Sequence, residues 1–194
     1  MRKVFLVSMG VAVLLSASAI AQAWREYENR QEGFSINFPG EPRVENGPYT
    51  TASGATVPSK IYSVELPTGR YALTFVDMAS RPQDEAQAIA QAVTALRQKG
   101  RAVYDETDNL DGIPGHQLSV RQPDGRLMLA SVHLYNHRLY ITESSVPPGA
   151  APPQQFQQSV AMIHPDGRVV DLEEEAEEAA ERAKQQKKGA GKAP

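Results

Sequence analysis

Cysteine is absent from the 194 residues, and tryptophan occurs once. Without a thiol there is no disulfide framework, thiolate zinc site, iron–sulfur cluster, cysteine nucleophile or lipid-modified N-terminal cysteine. There is no excess of base either. The 20 Lys and Arg stand against 23 Asp and Glu, a formal charge of −3, so the chain lacks a nucleic-acid footprint and no nucleic-acid partner is expected. With 41% hydrophobic residues, 14 Gly and 14 Pro, it is neither disordered throughout nor fibrous. Its length suits one globular domain with an appendage.

Several chemical signatures are missing as well. There is no Gly-x-Gly-x-x-Gly and no Gly-x-x-x-x-Gly-Lys to cradle phosphates, and no Gly-x-Ser-x-Gly nucleophile elbow. The four histidines are His116, His133, His137 and His164. His133 and His137 have the spacing of a helical metal site, but a turn is expected between them, which would not aim both imidazoles at one point. Asp105, Glu106, Asp108 and Asp111 form an acidic stretch without the Asp-x-Asp-x-Asp-Gly order or the distal Glu of a calcium loop, and it reads as a solvated loop. No catalytic residue, cofactor or metal site is expected from these patterns.

What is present begins with an export signal over residues 1–23. Arg2 and Lys3 form a positive start, Val4 to Leu15 is apolar apart from Ser8 and Gly10, and Ala21-Gln22-Ala23 has the small-x-small form of a cleavage site. The stretch from Val4 to Ala21 approaches the ~20 residues of a membrane span. The cleavage site and the abrupt change to Trp24-Arg25-Glu26 favour removal, leaving no stable membrane anchor and pointing to the periplasm. The folded domain is expected over residues 24–170. From Asp171 to residue 194 the chain carries seven acids followed by five bases, a solvated helix or tail with Asp171 and Glu174 at capping-box spacing. Glu178 with Arg182 and Glu181 with Lys184 add helical ion pairs. The alanine stripe buries little, so the tail is expected to be dispensable for folding.

Between these ends the apolar pattern has period 2. Phe34, Ile36 and Phe38 share one face; Tyr62, Val64 and Leu66 share another, followed by a Pro67-Thr68-Gly69-Arg70 turn and then Tyr71, Leu73 and Phe75. Gln122-Pro123-Asp124-Gly125 should join a strand near His116–Arg121 to one at Arg126–Tyr135, and Asn136-His137 should turn the chain back. That register sets Val132 opposite Ile141 and Leu134 opposite Leu139. On the other side it sets His133 opposite Tyr140 and Ser131 opposite Thr142. Two segments have helical spacing. Gln83 to Lys99 carries Ala86, Ile89, Ala90, Val93 and Leu96, with Ser80 or Asp84 as its cap; Phe156, Val160 and Ile163 follow Pro152-Pro153. The expected fold class is α+β, an antiparallel meander of sequential hairpins flanked by helices.

The order of Gly33-Phe34-Ser35-Ile36-Asn37-Phe38-Pro39-Gly40-Glu41-Pro42, a strand hairpin, a helix, Gly112-Ile113-Pro114-Gly115, a hairpin through Arg138-Leu139-Tyr140 and a late Phe156-x-x-Ser159 resembles the PsbP-like proteins over most of residues 24–164. The resemblance implies an α/β/α sandwich and an exported accessory or assembly protein without enzymatic activity of its own. The calcium and chloride retention of photosynthetic members is not carried over, since no matching motif is present. The expected function is therefore an exported, non-enzymatic accessory or scaffold protein with a protein partner. The alternative is a periplasmic small-ligand-binding module, and the face carrying Ser131, His133, Tyr140 and Thr142 is the candidate ligand or partner face.

Overall fold

The computed structural model describes residues 24–190, and the side chains of residues 185–190 lie outside that description, as does the whole of the expected signal peptide. Arg25–Asn29 (β1) and Phe34–Phe38 (β2) pair with the short Ala161–Met162 (β10) in a small antiparallel sheet. The main sheet comprises Arg43–Thr50 (β3), Thr56–Leu66 (β4), Gly69–Asp77 (β5), Arg101–Leu110 (β6), Ile113–Arg121 (β7), Leu127–Tyr135 (β8) and Arg138–Val146 (β9). Its order is β3-β4-β5-β9-β8-β7-β6. Two meanders thus meet at β5 and β9, where the sequence suggested a single run of hairpins. The joint exists because Glu85–Arg97 (α1) leaves β5 and crosses β9, β8 and β7, delivering the chain to the far edge as β6.

The β8–β9 hairpin has the register read from its sequence. Val132 faces Ile141, Leu134 faces Leu139, His133 faces Tyr140 and Ser131 faces Thr142. Asn136 and His137 both have positive φ (47° and 62°), as a two-residue type I′ turn requires. His137 is an unusual residue there; its ring reaches Glu85 Oε1 at 2.7 Å, and its carbonyl accepts the Met78 N–H at 2.7 Å. The turn thereby ties the hairpin to the start of α1.

Alternation along the strands fills two cores. Val76, Leu118, Val120, Met128, Ala130, Val132, Leu139 and Ile141 pack beneath α1. The face that α1 turns inward carries Ala88, Ala92, Val93 and Leu96, whereas Ala86 and Ala90 of the expected stripe are exposed. Alanine occupies both sides of this helix, so the pattern fixed the period and left the rotation open. Asp84 sits at the N-cap position without a capping hydrogen bond. Its carboxylate instead accepts from Ser53 Oγ at 2.9 Å and Arg81 Nε at 3.2 Å.

The opposite face is covered by the small sheet and by Gln154–Gln158 (α2). Phe34, Ile36, Phe38 and Phe156 are fully buried there against Tyr62, Leu73 and Tyr140. Val160 and Ile163 are buried as the sequence suggested, but not on a helix: α2 ends before Ser159, and the chain then adds β10 to β2. The Ser159 hydroxyl accepts the Asn37 N–H at 3.0 Å and donates to the Phe156 carbonyl, also at 3.0 Å, which locks that change of direction.

Leu172–Ala190 (α3) is the charged helix expected after the domain. Asp171 Oδ1 accepts the N–H groups of Glu173 and Glu174 at 3.0 Å, and the Glu178–Arg182 and Glu181–Lys184 pairs form. Its first turn is docked, however. Leu172 packs against the core, its N–H donates to the Asp111 carbonyl at 2.9 Å, and Glu175 meets His164 Nε2 at 2.6 Å. A chain ending at Val170 is therefore expected to lose about 1–2 kcal/mol, the contribution of one partly buried Leu and its hydrogen bond. One ending at Glu178 should melt like the full chain. Equal urea midpoints for both truncations and the full chain would show that Leu172 contributes nothing.

Candidate functional site

Ser131, His133, Tyr140 and Thr142 do come together in a row, but as interior: none is more than 2% exposed. The Ser131 and Thr142 hydroxyls are 2.6 Å apart, and Thr142 Oγ1 also accepts the Ser131 N–H at 3.1 Å. Tyr140 donates its hydroxyl proton to the Glu32 carbonyl at 2.7 Å, and burial pushes its pKa up to about 12. The row is closed beneath the small sheet, whose Phe34 ring lies 6.2 Å from that of Tyr140. Its hydroxyls satisfy one another and the β1–β2 turn. These residues offer a ligand no open face.

His133 lies over Gly115 on the neighbouring strand, and its Nε2 is 2.9 Å from Asp108 Oδ2, which also accepts from Gln117 Nε2 at 2.8 Å. Burial lowers its pKa more than Asp108 raises it. The unfolded chain, with a His pKa near ~6.5, takes up a proton that the native ring refuses. His133 therefore favours the native state fully above that pH, and the contribution falls as pH drops below it. Urea unfolding of wild type and His133→Gln at pH 7.5 and pH 5 should show the stability gap between them narrowing at the lower pH. A gap independent of pH would mean that His133 is not held neutral.

The other histidines each meet one carboxylate at a different place. His116 Nε2 lies 2.5 Å from Asp105 Oδ1, and His137 and His164 pair with Glu85 and Glu175. Asp105 also receives a bidentate pair from Arg97, both bonds 2.7 Å, and this guanidinium leads the effects that lower its pKa to about 2. Among the described residues no three His, Asp or Glu side chains form a metal-binding group.

The acidic stretch read as a loop is instead most of β6, a ten-residue strand at the outer edge of the main sheet. Its acids have distinct tasks: Asp105 holds Arg97 and His116, and Asp108 holds His133 and Gln117. The sequence signal for this strand was Asp111-Gly112, whose φ values of 51° and 85° make the β6–β7 hairpin turn; an Asp-Gly pair between two runs is a strong hairpin mark. A bulge between Ala102 and Tyr104 leaves Val103 without a partner on β7. Val103 and Tyr104 are 47% and 51% exposed, two of the few large apolar side chains so placed.

Such an edge offers unpaired backbone groups to another chain. The opposite edge, β3, is interrupted by Gly47 and Pro48, and Pro supplies no N–H. β6 has neither residue. Its charge also selects among partners. In a symmetric antiparallel pairing centred on the strand, Asp105 would meet Glu106 of a second copy, which is unfavourable.

By sequence, no family model and no curated protein matches the chain. Among solved structures it is similar to the solution structure of cyanobacterial PsbP (CyanoP) from Synechocystis sp. PCC 6803. The TM-score is 0.43 and the identity 15%, over 81% of this chain and 98% of that one. It is also similar to PA94 from Pseudomonas aeruginosa, a protein of unknown function, with a TM-score of 0.34 and 11% identity over 64% of this chain and 83% of that one.

Proposed function

We propose that this chain is an exported, non-enzymatic accessory or scaffold protein that binds a protein partner in the periplasm, and that the partner lays an extended segment along β6. The observation that carries the reading is the β6 edge, free of Gly and Pro, with Val103 and Tyr104 exposed at its bulge. Strand addition draws affinity from main-chain hydrogen bonds and specificity from side chains such as these. Asp105 and Asp108 are already held by Arg97, His116, His133 and Gln117, so Glu106 is the β6 acid left for a Lys or Arg of the partner segment, which suits it better than a second copy. The export pattern over residues 1–23 supports the compartment.

The test is recovery of a stoichiometric partner from periplasmic extract by the tagged chain, repeated with Val103→Ser combined with Tyr104→Ala. Both side chains are half exposed, so the variant should keep the wild-type melting temperature. The proposal expects one partner with wild type and its loss with the variant. Recovery undiminished by the substitutions would remove β6 from the account.

A further inference from the structure

Beside the β8–β9 turn lies a hollow of about 400 Å³ whose charged lining is two arginines, Arg30 and Arg138, with His164 beside them. They come from three separate segments, the β1–β2 turn, the start of β9 and the loop after β10. In a chain with more acids than bases this is a marked local reversal. Arg30 is compensated from outside the hollow by Glu28, and His164 contacts Glu175. Arg138 pairs with no carboxylate among the described residues. Its guanidinium and the Tyr140 hydroxyl both lie against Gly33, and the hydroxyl's own proton is committed to the Glu32 carbonyl.

The arginines are given room by glycines. A Cβ on Gly33 would stand 2.6 Å from Arg138 Nη1, and one on Gly167 would stand 2.9 Å from Arg30 Nη2. Both glycines have positive φ (72° and 92°), so turn geometry and guanidinium placement ask for the same residue. A guanidinium carries five N–H donors in a planar fork that suits a planar or tetrahedral oxyanion. Ile163 and Pro165 add apolar wall, and the volume is that of a small-molecule site.

We propose that this hollow binds the carboxylate or phosphate group of a small molecule, with Arg138 as the bidentate anchor and Arg30 as the second cation. The site is independent of the β6 edge, and either can fail without the other.

The experiment is an NMR titration of the protein with sodium phosphate and, separately, sodium benzoate at constant ionic strength. Saturable shifts are expected at the amides of Gly33, Asn136 and Arg138 with at least one probe; which probe saturates tells a phosphate ester from a carboxylate. Arg138→Gln should weaken that binding by about tenfold or more, since a neutral amide loses both the charge and the fork. Arg30→Gln, on a more exposed side chain, should weaken it by a smaller factor and provides the test should Arg138→Gln unfold. Shifts that never saturate with either probe, or an affinity unchanged in these variants, would overturn the proposal.

Discussion

Gly115→Ala is expected to destabilise the protein by about 2–4 kcal/mol, more than one added methyl group ordinarily costs, because overpacking and a lost hydrogen bond combine. The new Cβ would stand 2.3 Å from His133 Cδ2, 2.6 Å from its Nε2 and 2.8 Å from the Val132 carbonyl oxygen. The ring cannot swing into water, since His133 is only 2% exposed. Moving it within the core breaks the 2.9 Å contact with Asp108. The mechanism predicts strong non-additivity: in a His133→Ala background the same substitution should cost well under half as much, because only the Val132 carbonyl remains to be displaced. Urea unfolding of the four chains measures this directly. Additive costs would mean that Gly115 serves the backbone alone.

Phe34→Ala should cost about 3–5 kcal/mol, the usual range for truncating a fully buried aromatic ring. Phe34 is 0% exposed, with its centroid 5.2 Å from the Tyr62 ring and 6.2 Å from those of Tyr27 and Tyr140. With Ile36 and Phe38 it packs the small sheet onto the large one. A second attachment lies beside it. Tyr62 donates to Glu32 Oε2 at 2.6 Å, Lys60 meets Glu32 Oε1 at 2.5 Å, and Asn29 Nδ2 donates to the Tyr62 oxygen at 3.0 Å. These polar contacts survive the truncation, so the variant should still fold in one cooperative step with a lower urea midpoint. By contrast Val44→Ala, at a side chain 47% exposed on β3, should be nearly neutral. If Phe34→Ala were equally mild, the small sheet would not be packed as described.

These two residues also mark how far the fold was legible beforehand. Phe34, Ile36 and Phe38 announce themselves by alternation, and Asn136-His137 fixes a register in which each cross-strand pair can be named. Alternation says that a strand has an apolar face without saying which sheet it joins. So β2 was recognised as a strand, while its separate sheet with β1 and β10 was not. Phe156, Val160 and Ile163 have helical spacing, yet α2 stops short of the last two because Ser159 turns the chain between them. β6 was hidden because an edge strand with polar side chains on both faces lacks the period-2 signal. Only the Asp111-Gly112 turn betrayed it.

The candidate face was legible as a constellation and misleading as a surface. Strand register brings Ser131, His133, Tyr140 and Thr142 onto one side, and hydroxyl and imidazole groups in a row resemble a ligand-facing wall. Whether such a row meets water depends on what lies above it, and the cover here comes from residues more than 90 positions earlier in sequence, at Glu32 to Phe34. The features that face solvent, Val103 and Tyr104 on β6 and Arg138 with Arg30 near the β8–β9 turn, gave no motif. They stand out only once the edge and the glycine-lined hollow exist in three dimensions.

The central claim, that β6 is where a partner docks, is tested most directly by placing a photo-reactive amino acid at Val103 and illuminating intact cells that express the full chain. The account predicts a discrete crosslinked species of one added mass from position 103, absent when the same group stands at Gln87 on the solvent side of α1 or at Val44 on the β3 edge. No adduct at 103, or equal adducts at all three positions, would contradict it.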